Sequence, residues 1–273
     1  MNPFSFICKA YAFQKKNVQE SMSYSFSFLS EGFDIAANLA IFFFIGRLVS
    51  QGTNPFLTPY GGDYFSFALI GIAFAGIQQS ALYSFSHALS SEQGAGTLEE
   101  ILITSTKLST VMMSGVLWNC LFVFIRTVFY LLLGILFFQA HFTFHDPLAI
   151  AFVLFFSLTA MAGFGMISAG FLLIYKRGDP FSFCFSSASK FLAGVYFPVT
   201  VLPLWIQSLS PFFPLTYTLN ALRKVLLKGA GMGEVWSDCF VLILFSAVLL
   251  PVGIFYFRYA EKRARREGSL TFV

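Results

Sequence analysis

Apolar residues gather into six long runs, separated by short polar or proline-rich stretches. The runs cover roughly residues 33–49, 64–89, 111–138, 148–174, 181–202 and 235–257. Each comes close to the ~20 residues that a helix needs to cross the hydrocarbon core of a bilayer. The pattern predicts an all-α integral membrane protein with six transmembrane helices. Two starts carry their own signal: Asp146-Pro147 and Asp179-Pro180 each put a capping carboxylate before a proline at the first helical position. Pro251, inside the sixth run, predicts a kink.

The flanks extend this picture. Residues 4–28 mix aromatics with Lys9, Lys15 and Lys16, the pattern of an interfacial amphipathic helix. After the fifth run, Pro198, Pro203, Pro211 and Pro214 punctuate apolar pieces too short to cross. Such pieces fit either one external loop or re-entrant helices, whose non-helical backbone must be surrounded by protein. The re-entrant arrangement is favoured here.

Between the second and third runs lies the polar stretch 91–105. Thr97 and Glu100 have the spacing of a capping box, in which hydroxyl and carboxylate satisfy each other's backbone donors. Leu98, Ile101 and Leu102 then share one helix face, with Glu99 elsewhere. A helix of about two turns is marginal alone, so it needs a surface: the membrane or another protein. Lipid-bound helices favour Lys and Arg, and the adjacent Glu99 and Glu100 argue for protein.

Composition excludes a soluble domain: 11% of residues are charged and mean hydropathy is +0.74, where soluble domains carry roughly 25% charge. The chain reads as one membrane domain, with an interfacial segment (1–30), a six-span bundle (31–257) and a basic tail (258–273). Its 38 Phe can face lipid or line a path for an amphiphile. Cys8, Cys120, Cys184 and Cys239 have no paired spacing and read as small apolar residues. No cleavable signal is expected, because the first long run comes well after Lys9, Lys15 and Lys16. Placing the N-terminus in the cytoplasm puts eleven flanking Lys and Arg inside. Arg47, Arg223, Lys224 and Lys228 remain outside. Both termini and the 91–105 stretch are therefore expected on the cytoplasmic side of the cell membrane.

Two cations fall within runs, Arg126 in the third and Lys190 in the fifth. Intramembrane charge points first to function, so both are candidates for a transport path. Structural roles are the alternative: Lys190 can snorkel to the interface, and Arg126 can pair within the bundle or with a headgroup. No acid within a run is an obvious partner, which keeps lipid or substrate phosphate as a candidate. Glu31 and Asp34 flank the first run's start, where the helix dipole accounts for them. Arg223, Lys224 and Lys228 similarly suit the C-terminal end of a short external helix. His87, His141 and His145 lack metal-ligand spacing, and no acidic pair suggests catalysis. No Gly-x-x-x-x-Gly-Lys-Ser/Thr loop occurs, so this chain lacks the usual nucleotide cradle. Neither an enzyme, a metal protein nor a nucleic-acid binder is expected.

Taken in order, three stretches resemble the membrane permeases of type-2 ABC exporters. Glu92 through Leu102, centred on Gly96-Thr97-Leu98-Glu99 and followed by Lys107, is similar to that family's cytoplasmic segment between its second and third spans. Gly194-Val195-Tyr196-Phe197-Pro198, with Leu202-Pro203 and Trp205, is similar to its fifth-span exit. Pro211, Pro214-Leu215-Thr216-Tyr217, Ala221-Leu222-Arg223 and Gly229 resemble its external region before the last span. The resemblance implies a half-transporter that pairs with a second copy or a paralogue. It implies an ABC ATPase subunit holding ATP and magnesium, with no cofactor in this chain. Force would enter through a coupling helix at residues 97–104, and an amphipathic drug, lipid or lipid-linked polysaccharide would move outward. Gly194, Pro198, Pro214 and Arg223 would mark the external re-entrant region, Arg223 in a structural role. The alternative is an ion-gradient-driven secondary transporter, which would want internal repeats that this sequence does not display.

Overall fold

The computed structural model describes residues 25–49, 55–61, 63–94, 108–175 and 179–266. These form eight α-helices: α1 (Ser25–Val49), α2 (Tyr64–Gly94), α3 (Leu108–Phe138), α4 (Pro147–Tyr175), α5 (Pro180–Leu192), α6 (Leu204–Gln207), α7 (Pro214–Lys228) and α8 (Met232–Arg266). Single 3-10 turns occur at Thr58–Tyr60, Val199–Val201 and Ser210–Phe212. Among the described residues there is no strand. Five helices are long and apolar enough to cross a membrane: α1, α2, α3, α4 and α8. The expected interfacial segment lies mostly before residue 25, outside the described residues.

Helix α2 is the centre of the bundle. In its apolar span 78% of the residues are buried, against 17% in α1 and in α3. Its start is fixed by Asp63, whose carboxylate accepts the amides of Phe65 at 3.1 Å and Ser66 at 3.0 Å. Around α2, one apolar core joins Leu39 of α1, Leu69 and Ile70 of α2, Val153 of α4, Leu219 and Leu222 of α7 and Leu242 of α8. A second core joins Leu89, Met112, Val116, Leu172 and Phe257 at the other end of the bundle.

Small residues set how closely the helices approach, as membrane helices require where water supplies no driving force between them. Helices α2 and α3 run antiparallel, Gly115 lying against Ala88 and Gly134 against Leu69. On α4, Gly163 lies against the backbone of Leu249, and Gly170 against the ring of Tyr256. Gly253 of α8 meets the backbone of Gly163 in return. Helix α8 continues through Pro251 and includes the basic residues to Arg266.

The expected caps form. Asp146 Oδ1 accepts the amide of Ala149 at 3.1 Å, and Asp179 Oδ1 accepts that of Ser182 at 3.0 Å. The fifth run departs from expectation. Instead of one span over 181–202, a helix of 13 residues ends at Leu192, about 20 Å at ~1.5 Å per residue. That falls short of the ~30 Å core. The chain turns at Gly194, whose φ of +74° suits a residue without Cβ, and Pro198 and Pro203 then start new short elements. Composition had made the whole stretch look like one span.

Helix α7 follows this broken stretch and packs among α2, α4 and α8. Thr218, in its second turn, accepts a hydrogen bond at 2.7 Å from the Gln78 amide, halfway along α2. At its far end Gly229 lies beside Thr143 in the α3–α4 connection. Helix α7 thus rises from the middle of the bundle to one rim.

Candidate functional site

Helices α1, α2, α3 and α5 line a half-open cavity of about 880 Å³. Along α2 it extends from Ile72 to Ser91, nineteen residues or about 28 Å at ~1.5 Å each. That is close to one hydrocarbon-core thickness. Its wall is polar for a membrane bundle. Helix α2 contributes Gln79, Ser80, Ser84 and His87, and α3 contributes Asn119 and Thr127. Asn119 Nδ2 donates to Ser84 Oγ at 2.8 Å, and Thr127 Oγ1 to the Val123 carbonyl at 2.9 Å. Gly76 faces open space, with no atom within 4 Å of where a Cβ would stand.

Arg126 and Lys190 both line this cavity. Arg126 sits on α3 beside Thr127, which reaches the Ala73 carbonyl of α2, nine residues along that helix. Lys190 lies ten residues into α5. Lys190 is thus about 15 Å from the start of α5, and Arg126 lies level with a point about 14 Å from the start of α2, at ~1.5 Å per residue. The structure corrects the expectation that Arg126 has no acidic partner: its Nη2 lies 3.5 Å from Asp34 Oδ2. Helix α1 begins at Ser25, so Asp34 is in its third turn, where a dipole role no longer accounts for it. Asn38, one turn on, donates to Asp34 Oδ1 at 3.0 Å. The Lys190 side chain makes no hydrogen bond or ion pair among the described residues.

The α5 helix that carries Lys190 is anchored by Asp179. Burial alone would push this carboxyl up. The hydroxyls of Ser168, Ser86 and Ser182 and the Ser182 amide outweigh burial and hold it below the usual range. At the other end of α5, Ser210 Oγ closes the break by donating to the Leu192 carbonyl at 2.7 Å.

The residues expected outside the membrane form a second unit. Gly194 makes the turn, Pro198 precedes the 3-10 turn at Val199–Val201, and Pro214 opens α7. Arg223 is 2% exposed and donates from Nη2 to the carbonyls of Val195 (3.1 Å) and Phe67 (3.3 Å). Its guanidinium lies 3.4 Å from the Phe67 ring centroid. It therefore does not complement an exposed helix end, as its neighbours suggested. Lys224 differs too, pairing with Asp238 at 2.7 Å. The polar stretch with Thr97, Leu98, Glu99, Glu100, Ile101 and Leu102 lies outside the described residues, as does Gly96. Its place in the chain is still informative: residues 95–107 join α2 to α3, two walls of the cavity. Among the described residues no group of three His, Cys, Asp or Glu could hold a metal.

The family model for the ABC-2 type transporter matches residues 18–227. The chain belongs to this membrane family. It is similar to the linearmycin resistance permease protein LnrN of Bacillus subtilis (strain 168), with 24% identity over 125 residues, 44% of this chain and 32% of that protein. It is also similar to the probable multidrug ABC transporter permease YbhR of Escherichia coli (strain K12), with 21% identity over 156 residues, 57% of this chain and 42% of that one. The matched stretches thus span less than half the length of these relatives.

For this ABC-2 chain, sequence reasoning missed three things. One was Asp34 as partner to Arg126, for which the only available signal was an acid and a cation on separate apolar runs. Another was the polar wall of α2. The third was the aromatic content of the cavity: Phe122 is its one phenylalanine among the described residues, beside Tyr83, Tyr130 and Tyr196. Most other large Phe side chains on α3 and α8, including Phe124, Phe129, Phe240 and Phe255, point outward.

Proposed function

We propose that this chain is the membrane subunit of an ATP-driven exporter that moves an amphipathic substrate outward. The observation that carries the reading is one of connectivity. The 95–107 segment joins the two helices that wall a polar cavity about one core thickness long. A push on that segment moves both walls together. The force would come from a separate ABC ATPase subunit, which holds ATP and magnesium. Its docking contacts would be Leu98, Ile101 and Leu102 on the apolar side, behind the cap at Thr97, with Glu99 and Glu100 meeting basic groups or amides.

In this reading the cavity, with Arg126 and Lys190, is the path. Both termini and the 95–107 segment are cytoplasmic. Burial removes Arg223 from the external count, so the charge asymmetry becomes eleven to three and supports this orientation more strongly. Helix α5 then enters from the cytoplasmic side and stops short, and α7 rises from mid-membrane to the outer face as a re-entrant helix. A second permease, identical or paralogous, completes the transporter, and the outward apolar faces of α3 and α8 meet it or lipid. The names of the relatives, one a resistance permease and one a probable multidrug permease, support a drug-like amphiphile among the candidates, beside lipids and lipid-linked polysaccharides.

The test is association. Glu99→Lys with Glu100→Lys should cut recovery of the ATPase in a pull-down of the full chain by about tenfold or more, through like-charge juxtaposition and lost carboxylate contacts. Undiminished recovery would remove the docking assignment.

A further inference from the structure

The cavity has a charge imbalance that points to the kind of molecule it holds. Two cations line it, Arg126 and Lys190, and no Asp or Glu is among its lining residues within the described part of the chain. Asp34 at the margin compensates Arg126 at 3.5 Å. Lys190 has no such carboxylate among the described residues, which leaves one positive charge uncompensated in the cavity wall. The rest of the wall supplies neutral hydrogen-bonding groups, Gln79, Ser80, Ser84 and Asn119, able to bind the remaining oxygens of an anion. Ile72, Phe122 and Val123 give apolar surface in the same cavity.

We propose that the cavity binds an amphiphile through a single acidic headgroup, a phosphate ester or carboxylate, seated at Lys190 with Arg126 alongside. This rests on the reading of the cavity as a transport path and specifies its substrate class. The Asp34–Arg126 pair keeps the site from being doubly positive, so one acidic headgroup is enough to meet its charge. A zwitterionic headgroup would bring its own cation to Lys190 and a neutral one would leave the charge unmet. The apolar wall holds the chain.

The probe is dodecyl phosphate, titrated against the full chain in neutral maltoside micelles, with ligand-induced thermal stabilisation giving an apparent Kd. Dodecyl phosphocholine tests the same chain without net charge, and inorganic phosphate tests the headgroup without the chain. The expected result is a preference for dodecyl phosphate of about tenfold or more over both, the scale of one charge-assisted hydrogen bond. Lys190→Gln should abolish the preference, Lys190→Arg should keep it, and Arg47→Gln, outside the cavity, should leave it unchanged. Equal binding of dodecyl phosphocholine, or a preference that survives Lys190→Gln, overturns the proposal. Inorganic phosphate binding as tightly as dodecyl phosphate overturns the amphiphile and leaves a free-anion site. None of these readouts involves the ATPase, so they fail separately from the docking reading.

Discussion

Two glycines in helix interiors should respond in opposite directions to the same change. In a helix, alanine is preferred over glycine by ~1 kcal/mol, because glycine loses more backbone freedom on ordering. At Gly76 of α2 that gain should appear undiminished, because nothing stands within 4 Å of the new methyl. At Gly163 of α4 the methyl would lie 2.5 Å from the carbonyl carbon of Leu249 and 2.6 Å from its oxygen. Ordinary contact begins at 3.4 Å, so α4 and α8 must separate there by 3.4 − 2.5 = 0.9 Å. These are backbone atoms, with no rotamer to change, and Gly253 already occupies the adjoining contact. Overpacking of a tight core costs ~1–3 kcal/mol, and a gap of 0.5–1 Å forfeits about a quarter to a half of each dispersion contact along the seam. The upper part of that range applies where nothing can rotate away. Net of propensity, Gly163→Ala should destabilise by about 2 kcal/mol, and Gly76→Ala should stabilise by up to ~1 kcal/mol. Unfolding midpoints of the two variants in the same detergent measure the contrast. A Gly163→Ala protein as stable as its parent, or two shifts of the same sign, would refute the close α4–α8 approach.

The same open space at Gly76 allows a functional block: Gly76→Phe should fold and pair with its ATPase, yet transport should fall steeply as the ring projects into the cavity. Vesicle uptake assays check this, and undiminished transport would exclude the cavity as the path. Asp179→Ala removes the α5 cap and should cost ~0.5–2 kcal/mol at neutral pH. The Asp179 carboxyl is held below its unfolded value, so its contribution is present above about pH 4 and is lost as pH falls through the lower folded value. Unfolding midpoints of parent and variant should therefore converge in acid, and a constant difference down to the lowest pH would contradict the carboxylate role.

How far this was legible in the sequence depends on whether a feature is local. Spans are local: α2, α3 and α4 begin and end within three or five residues of the apolar runs, because the bilayer constrains length and composition directly. Caps are local as well, and Asp146 and Asp179 act where their proline neighbours predicted. Arg126 and Lys190 were visible because any cation in an apolar run stands out. That they share a cavity was not visible, since it depends on how α3 and α5 pack on α2. The partner of Arg126 was hidden for a related reason. Asp34 looked like a helix-start residue until α1 was seen to begin at Ser25, which turns the same carboxylate toward α3. Gly163 and Gly253 are far apart in sequence, and nothing in either neighbourhood announces that they touch.

The break after Leu192 and the buried Arg223 looked like separate oddities and are one structural unit. An unbroken span satisfies its own backbone groups, and a span that stops inside the bundle leaves carbonyls that water cannot reach. Two of them, on Leu192 and Val195, are met by Ser210 and Arg223. Arginine suits the second because the same Nη2 also reaches the Phe67 carbonyl, and the face of the Phe67 ring partly offsets the cost of burying charge. Gly71 completes the unit: a Cβ there would collide with the Val195 carbonyl itself and stand 2.8 Å from the Arg223 guanidinium. The turn at Gly194, the missing side chain at Gly71 and the cation at Arg223 therefore depend on one another. Together they leave α5 short enough to end beside the cavity, with Lys190 in its last turn.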